Sequence, residues 1–243
     1  SAPHWPCLTR DDRAESERIA GVGKHLDGGS IQTYQRMIHH MDEGIGWVLD
    51  ALRRTGADED TLVVFTSDNG GERYSDNWPF TGQKMDLMEG GVRVPLLARW
   101  PGRIAPGQVS GQRNMTMDWT ATMLDAAGVA EDPAYPLDGI SLLGALQDNA
   151  QPIPRDLFWR MKHRNQAAII RGDWKYLRVD GHEYLFDLSQ DARERANLKH
   201  RFPERLAELR QCWTAWNDAL PPIPDDAKAH LVFTDSELPR ASF

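Results

Sequence analysis

Residues 61–71 constrain the fold of this chain more than any other stretch, and their sequence is TLVVFTSDNGG. The apolar and β-branched run at 61–67 predicts a strand buried on both faces, as in a mostly parallel sheet. The chain must turn at the polar and glycine residues that follow. Because ligands of open α/β sheets bind just outside the carboxyl ends of strands, the stretch predicts an α/β fold that delivers Asp68 and Asn69 to a binding edge.

Asp68 and Asn69 carry the oxygen atoms that hard cations prefer. One offers a carboxylate and the other an amide carbonyl, and Ca²⁺ and Mg²⁺ take such ligands. The alternative is an Asn-Gly turn at the end of a strand, in which Asp68 only caps the loop. On this stretch alone, both the cation site and the simple turn remain open.

The composition restricts the kinds of partner. The chain has 243 residues, of which 40% are hydrophobic and 26% charged, as in ordinary globular proteins. Its formal net charge of -8 argues against nucleic acid or an anionic membrane as a partner, because both attract basic proteins. No apolar run is long enough to span a bilayer. Cys7 and Cys212 are too far apart in sequence to predict a zinc site or a disulfide framework.

The first residues do not look like a natural start. Residues 1–6 are SAPHWP, without Met and without the charged and apolar segments of a signal peptide. We therefore expect the chain to begin inside a longer protein. Any targeting signal would then lie upstream, so the sequence leaves the localisation unknown.

Periodicity and breaker residues predict the elements that flank the strand at 61–67. Apolar residues at helical spacing follow the N-cap Ser30, and Gly56 stops the pattern. A second apolar run contains Pro95, which indicates a break or an edge in its ladder. The predicted elements are a helix over 30–56, a turn over 89–91, a strand over 92–100 and a helix over 116–127.

The pattern changes at residues 151–154, where two prolines mark a boundary. Beyond it, Gly-Asp and Asp-Gly pairs separate short apolar runs, which predicts an antiparallel meander followed by a helix. We therefore divide the chain into an α/β domain, residues 1–150, and a C-terminal α+β subdomain with an extended tail, residues 151–243. The predicted strands are 157–160, 167–171, 175–179 and 184–187, and the predicted helix is 203–216.

Residues around the predicted sheet edge have the chemistry of an anion site. The long polar loop at 72–86 contains Arg73, Trp78 and Lys84, and loops of this kind carry function more often than framework. His4 is held in a stiff segment between two prolines. A cation, a lysine and a histidine at one edge would bind a substrate with a charged head group. Arg73 and Trp78 are the candidates for recognising the rest of that substrate.

The order of these motifs resembles the sulfatase family of the alkaline-phosphatase superfamily. The resemblance covers nearly the whole chain and corresponds to the C-terminal half of a family member. It implies part of an alkaline-phosphatase-like mixed sheet flanked by helices, plus a small C-terminal antiparallel sheet with a packed helix. The matching segments are APHWP at 2–6, FTSDNGG at 65–71, GQK at 82–84, EGGVRVP at 89–95, GDWKY at 172–176 and YLFDL at 184–188, followed by Glu194, Asn197 and Leu198.

The resemblance implies a hydrolase that cleaves a sulfate monoester with the help of a divalent cation. By resemblance, Asp68 and Asn69 bind that cation, which is usually Ca²⁺ in the family, with Mg²⁺ as the alternative. Lys84 contacts the sulfate. His4 also lies at the sulfate and helps the leaving group depart, so both residues receive catalytic and substrate-binding roles.

The chain departs from the family pattern at the nucleophile. Family members use a formylglycine made from the first residue of Cys/Ser-x-Pro/Ala-x-Arg, and the 243 residues contain no such motif. The segment 7–11 has Thr9 and Asp11 at the positions that the motif requires to be Pro or Ala and Arg. The paired aspartates that complete the cation site are missing too. We expect the isolated chain to bind the cation weakly and to hydrolyse no sulfate ester, because a missing N-terminal half or another chain must complete the sheet and supply the formylglycine.

Two other functions remain open at this stage. A phosphonate or phosphate ester hydrolase of the same superfamily often has His at the position of Asn69, so Asn69 favours a sulfate. A non-catalytic binding remnant of the fold would also lack the nucleophile. The substrate, an aryl or a saccharide sulfate, is left open as well. Glu89 and Arg93 are expected to hold their turn rather than touch substrate.

Overall fold

The computed structural model describes residues 30–72, 74–147 and 152–227, and it confirms a mixed α/β fold. The candidate site residues His4 and Arg73 lie outside the described residues. Within the described parts, a two-stranded and a four-stranded sheet are accompanied by helices. The elements are α1 (Ile31–Thr55), β1 (Val63–Thr66), α2 (Glu89–Val92), β2 (Leu96–Arg99), α3 (Asp118–Ala126), α4 (Leu143–Gln147), β3 (Asp156–Met161), β4 (Gln166–Arg171), β5 (Trp174–Val179), β6 (His182–Asp187) and α5 (Pro203–Asp218).

Helix α1 begins and ends where its capping residues predict. The hydroxyl oxygen of Ser30 accepts a hydrogen bond from the Thr33 N–H at 3.1 Å, which satisfies one of the first amide groups of the helix. Gly56 ends the helix with a φ of 73°, a left-handed conformation that favours glycine. Trp47 and Val48 are exposed on this helix, so the described residues leave part of its apolar surface uncovered.

Strand β1 is shorter and less buried than its sequence predicts. It pairs antiparallel with β2, with Val63 opposite Arg99, and this sheet has two strands in the described part of the chain. Both faces are therefore partly open, and the exposed fraction reaches 37% for Phe65. The predicted mostly parallel, fully buried strand is not what these residues show, because apolar composition indicates burial but does not select the neighbouring strand.

Strand β2 starts later than the predicted strand over 92–100. Residues Glu89–Val92 form the short helix α2, and the strand begins at Leu96, directly after Pro95. Pro95 has no N–H to donate to a ladder, which explains why pairing begins after it.

The C-terminal strands β3 to β6 form the predicted antiparallel meander in sequence order. Helix α5 packs against one face of the sheet, where Ile169, Tyr176 and Leu209 are fully buried. The turns at Gly172 and at Asp180 and Gly181 have positive φ values, as tight hairpin turns require. This region holds most of the fully buried residues of the described chain.

The opposite face of the meander packs against the residues that precede α2. Leu87 is buried in one cluster with Leu177 and Phe186. The Gln166 side chain joins the same two parts, because its Oε1 accepts from the Leu87 N–H at 2.9 Å and its Nε2 donates to the Met85 carbonyl at 2.7 Å. Among the described helices, none has the length and apolar character needed to cross a membrane.

Candidate active site

The end of β1 presents Asp68 and Asn69 at the edge of the two-stranded sheet. Asp68 is exposed and Asn69 is half-buried. The turn is fixed locally, since the Asn69 N–H donates to Asp68 Oδ1 at 3.1 Å and the Ser67 hydroxyl donates to the Asn69 carbonyl at 2.9 Å. The two oxygen-bearing side chains therefore sit on a defined turn at the strand end, as the sequence predicts.

Helix α2 packs directly on this turn through glycine contacts. The Gly70 N–H donates to the Gly91 carbonyl at 2.8 Å. A side chain on Gly70 would collide with the carbonyl of Gly90, and one on Gly91 would collide with the carbonyl of Asp86. The glycines of both motifs are thus required by close backbone approach, which leaves the strand end no freedom to shift against α2.

The structure brings Lys84 to the same place. Its N–H donates to the Gly71 carbonyl at 3.1 Å, two residues beyond Asn69, and its side chain is half-buried. The loop that carries Lys84 also meets α2, because the Gly90 N–H donates to the Thr81 carbonyl at 2.7 Å. The three predicted residues Asp68, Asn69 and Lys84 are therefore carried by backbone segments that contact one another.

Asn77 organises the loop, and sequence reasoning missed it. Its Oδ1 accepts from the Gly71 N–H at 2.9 Å, and its Nδ2 donates to the carbonyls of Gly71 at 2.9 Å and Gly82 at 3.2 Å. An asparagine side chain has the same donor and acceptor as a backbone amide, so it can bridge two ends of a loop. An asparagine within a long polar loop was the sequence feature from which this role could have been predicted.

Trp78 lies at the surface of the loop, with 73% of its area exposed. The Arg193 guanidinium carbon is 4.8 Å from the centroid of the Trp78 ring, a cation–π contact from the C-terminal region. The Thr81 hydroxyl donates to the Arg193 carbonyl at 2.5 Å, which ties the two loops together. Sequence reasoning did not find Arg193, because this contact joins residues more than a hundred positions apart.

A buried charge cluster lies behind α2. The Lys175 ammonium is 2.9 Å from Glu89 Oε1 and 2.8 Å from Glu194 Oε1, and all three side chains are buried. Burial raises the pKa of Glu194 above its ordinary value, and the nearby Lys175 opposes that rise. The N–H and the carboxylate of Glu89 are thus both bound within the protein, in line with its predicted structural role. The Arg93 guanidinium stacks on the Phe80 ring at 4.7 Å.

The donor atoms suit part of a cation site. Asp68 and Asn69 supply oxygen ligands of the type that Ca²⁺ and Mg²⁺ take, but Ca²⁺ needs about six to eight. Across the described ranges, no group of three or more His, Cys, Asp or Glu residues could hold a metal ion. The chemistry of these two residues therefore fits a site that is completed by further ligands.

Two family models match the chain. The model described as Sulfatase matches residues 1–129. The model described as N-sulphoglucosamine sulphohydrolase, C-terminal, matches residues 80–211. Together they span both the candidate site and the C-terminal meander.

The chain is similar to part of several curated proteins that are named as sulfatases. The chain is 34% identical to an N-acetylgalactosamine-6-sulfatase of Mus musculus over 148 residues, which is 58% of the chain and 28% of that protein. It is 36% identical to a choline-sulfatase of Rhizobium meliloti (strain 1021) over 177 residues, 70% of the chain and 33% of the relative. The chain thus spans about a third of the length of these relatives.

Solved structures share the fold. The chain resembles Ps i-CgsB, solved in complex with k-i-k-neocarrahexaose, with a TM-score of 0.74, 28% identity, and coverage of 89% of this chain and 48% of that one. It also resembles BT4656, solved in complex with its substrate D-glucosamine-2-N,6-O-disulfate, with a TM-score of 0.63, 26% identity, and coverage of 85% and 46%.

Proposed function

The chain belongs to the sulfatase family, and we propose that it carries part of the active site of a sulfuric ester hydrolase. The observation that carries the proposal is the convergence of the strand end at Asp68 and Asn69 with the loop of Lys84, joined by the hydrogen bond from the Lys84 N–H to the Gly71 carbonyl. An oxygen-ligand pair, on a segment that is hydrogen-bonded to a loop with a lysine, suits a substrate whose head group is a sulfate anion.

The proposed reaction is hydrolysis of a sulfate monoester. The bond between sulfur and the bridging oxygen breaks, the elements of water are added, and an alcohol and inorganic sulfate leave. Lys84 binds the non-bridging oxygens of the sulfate and stabilises their charge as the bond breaks. His4, which is outside the described residues, is proposed to donate the proton that the leaving oxygen needs.

Asp68 and Asn69 are proposed to hold the divalent cation, which we take to be Ca²⁺, with Mg²⁺ as the alternative. When bound, the cation would withdraw electron density from the sulfate and so assist the departure of the leaving group. The remaining ligands and the formylglycine nucleophile are proposed to come from a further segment of the natural polypeptide or from another chain. The exposed apolar residues of α1 and β2, Trp47 and Leu97 among them, support a partner that covers these elements.

We propose a sulfated saccharide as the substrate. The exposed indole of Trp78 can stack on a sugar ring, and the adjacent Arg193 guanidinium offers a charge for a second acidic group. Arg73, in the same loop but outside the described residues, is proposed to add to this recognition. Two of the similar proteins, an N-acetylgalactosamine-6-sulfatase and BT4656 in complex with a glucosamine disulfate, support a saccharide, whereas the name of the choline-sulfatase supports neither a saccharide nor an aryl sulfate.

The test is an assay of the natural polypeptide that contains this chain. We expect release of sulfate from N-acetylgalactosamine 6-sulfate or a related sugar, weaker turnover of nitrophenyl sulfate, and little turnover of nitrophenyl phosphate. Replacing Lys84 by Ala should lower kcat by about 10²- to 10³-fold, as expected for loss of a group that stabilises developing charge. The control, Lys199→Ala, removes a lysine that lies outside the proposed site. A preference for the phosphate ester, or an unchanged rate in Lys84→Ala, would contradict the proposal.

A further inference from the structure

The ion cluster of Lys175, Glu89 and Glu194 lies in the interior of the protein and not at its surface. The exposed fraction of the Lys175 side chain is 0%. Taking charges out of water is costly, and the cost is offset only where partners and geometry are well matched. Such a cluster is weak support for stability alone, because apolar residues of similar volume often serve as well. Its placement in the fold indicates what else it does.

Glu89 links the cluster to the candidate site through the backbone of α2. Its N–H donates to Glu194 Oε2 at 2.5 Å, while its carboxylate accepts from Lys175, so both ends of the residue are fixed by the C-terminal region. Arg93 Nη1 is 3.7 Å from the other carboxylate oxygen of Glu89. The first residue of α2 therefore has a defined position relative to the meander.

The next two residues of α2, Gly90 and Gly91, connect Glu89 to the Asp68–Asn69 strand end and to the loop of Lys84. Gly91 accepts from the Gly70 N–H beside Asn69, and Gly90 donates to the Thr81 carbonyl in the loop of Lys84. Side chains at these glycines have no room, so a shift of α2 must move its neighbours or break these hydrogen bonds. The contacts form one continuous path from Lys175 to the strand end and to the lysine loop.

We propose that Lys175, Glu89 and Glu194 are positioning residues that set the distance between the Asp68–Asn69 strand end and the loop of Lys84. This inference rests on the proposed function, because it assumes that these two segments act on one cation and one sulfate. An ion cluster in which Glu89 is hydrogen-bonded at both its N–H and its carboxylate suits the task, since these attractions are directional and apolar packing is not. These three residues thereby take part in the activity without touching substrate.

The chain offers a matched control in the pair Arg155 and Asp118. Arg155 Nη1 is 2.7 Å from Asp118 Oδ1, and the Asp118 side chain is fully buried. This pair also links the region before the meander to the start of β3, but Asp118 accepts hydrogen bonds from residues 115 and 140 and not from α2. Arg155→Met therefore removes a cation from a buried carboxylate without touching the path to the site.

The experiment compares Lys175→Met, Glu194→Gln and Arg155→Met in the natural polypeptide. Cation affinity is measured by calorimetric titration with Ca²⁺, which needs no turnover, and is set beside kcat, KM and the midpoint of thermal unfolding. Glu194→Gln is the milder change, because its amide oxygen can still accept from the Glu89 N–H. We expect Lys175→Met to weaken Ca²⁺ binding and lower kcat by about 10- to 100-fold, the usual effect of losing a group that orients ligands. Glu194→Gln should act in the same direction with a smaller loss.

The control decides between positioning and general stability. Arg155→Met should lower the unfolding midpoint while Ca²⁺ affinity and kcat stay near the wild-type values. If Ca²⁺ affinity follows the unfolding midpoint equally in all variants, or stays unchanged in Lys175→Met and Glu194→Gln, the positioning role is overturned while the proposed function stands. A wild-type polypeptide that binds Ca²⁺ but releases no sulfate would instead overturn the proposed function.

Discussion

The four-stranded meander with α5 and the two-stranded edge of β1 and β2 differ in how completely the described chain packs them. The meander buries residues on both faces, with Leu87 on one side and Leu209 on the other. The edge leaves Leu97 with 67% of its area exposed and presents Asp68 to solvent. One region is thus packed on both faces, whereas the other presents candidate functional groups with incomplete packing.

The comparison indicates that contacts from the meander order the candidate functional edge. Gln166 and Lys175 belong to the meander, and their side chains bind the residues around α2. Hydrogen bonds from the Asn77 side chain to the carbonyls of Gly71 and Gly82 then hold the loop of Lys84 in place. Predictions that weaken one region at a time test this dependence.

The largest effect is expected in the core of the meander. Leu209→Ala removes a fully buried side chain and should lower the free energy of unfolding by about 2–5 kcal/mol, through lost transfer energy and a cavity. The matched substitution Leu97→Ala, at the exposed edge, should change it by less than about 0.5 kcal/mol. Urea unfolding of both variants measures this, and equal losses would remove the distinction between the regions.

A smaller effect is expected at Asn77. Asn77→Ala leaves backbone groups of Gly71 and Gly82 without their partner, which should cost about 1–3 kcal/mol. The matched control is Asn114→Ala, because Asn114 is also half-buried but donates to a single carbonyl at 3.5 Å. Urea unfolding and proteolysis of the loop at 72–86 measure the outcome. Two variants of equal stability, with equally slow cleavage, would show that Asn77 does not organise the loop.

The cap of α1 should contribute less again. Ser30→Ala removes the side-chain acceptor for the Thr33 N–H and should cost about 1 kcal/mol. Ser30→Thr keeps a hydroxyl at the cap and serves as the control. Circular dichroism during thermal unfolding follows both, and the same midpoint in the two variants would show that the cap does not stabilise the helix.

The smallest effect concerns pH. Because burial raises the pKa of Glu194 in the folded state, that state binds the proton more tightly than the unfolded state does. The stability from this proton is present below the unfolded pKa and is lost as pH rises through the raised folded pKa. Unfolding free energies measured across this window should fall with pH in the wild type more than in Glu194→Gln. The control Glu131→Gln, at an exposed loop position, should keep the wild-type slope.

The sequence predicts elements well where the signals are local. Ser30 and Gly56 define α1, and the turns at Gly172 and Asp180 define the hairpins of the meander. The order Asp68, Asn69, Lys84 also predicts a shared site, and the backbone contact of Lys84 with Gly71 agrees with it.

Other features depend on contacts that no local pattern contains. The antiparallel pairing of β1 with β2 was missed, because an apolar run does not identify its neighbour. The sequence contains a signal that Lys175 is buried, because strand alternation places it on the same face as Leu177. Its partners Glu89 and Glu194 could not be predicted in this way, because they are far away in sequence. No local sequence pattern predicts the contact between Arg193 and Trp78.

The most direct test of the claim that the meander positions the functional edge is amide hydrogen exchange in the natural polypeptide, compared between wild type, Lys175→Met and Arg155→Met. We predict that Lys175→Met accelerates exchange of the Gly70, Gly90 and Lys84 amides by about tenfold or more, while the Ile169 amide in β4 stays protected. Arg155→Met should leave the first three amides unchanged. Unchanged exchange of these amides in Lys175→Met, or equal acceleration in both variants, would contradict the account.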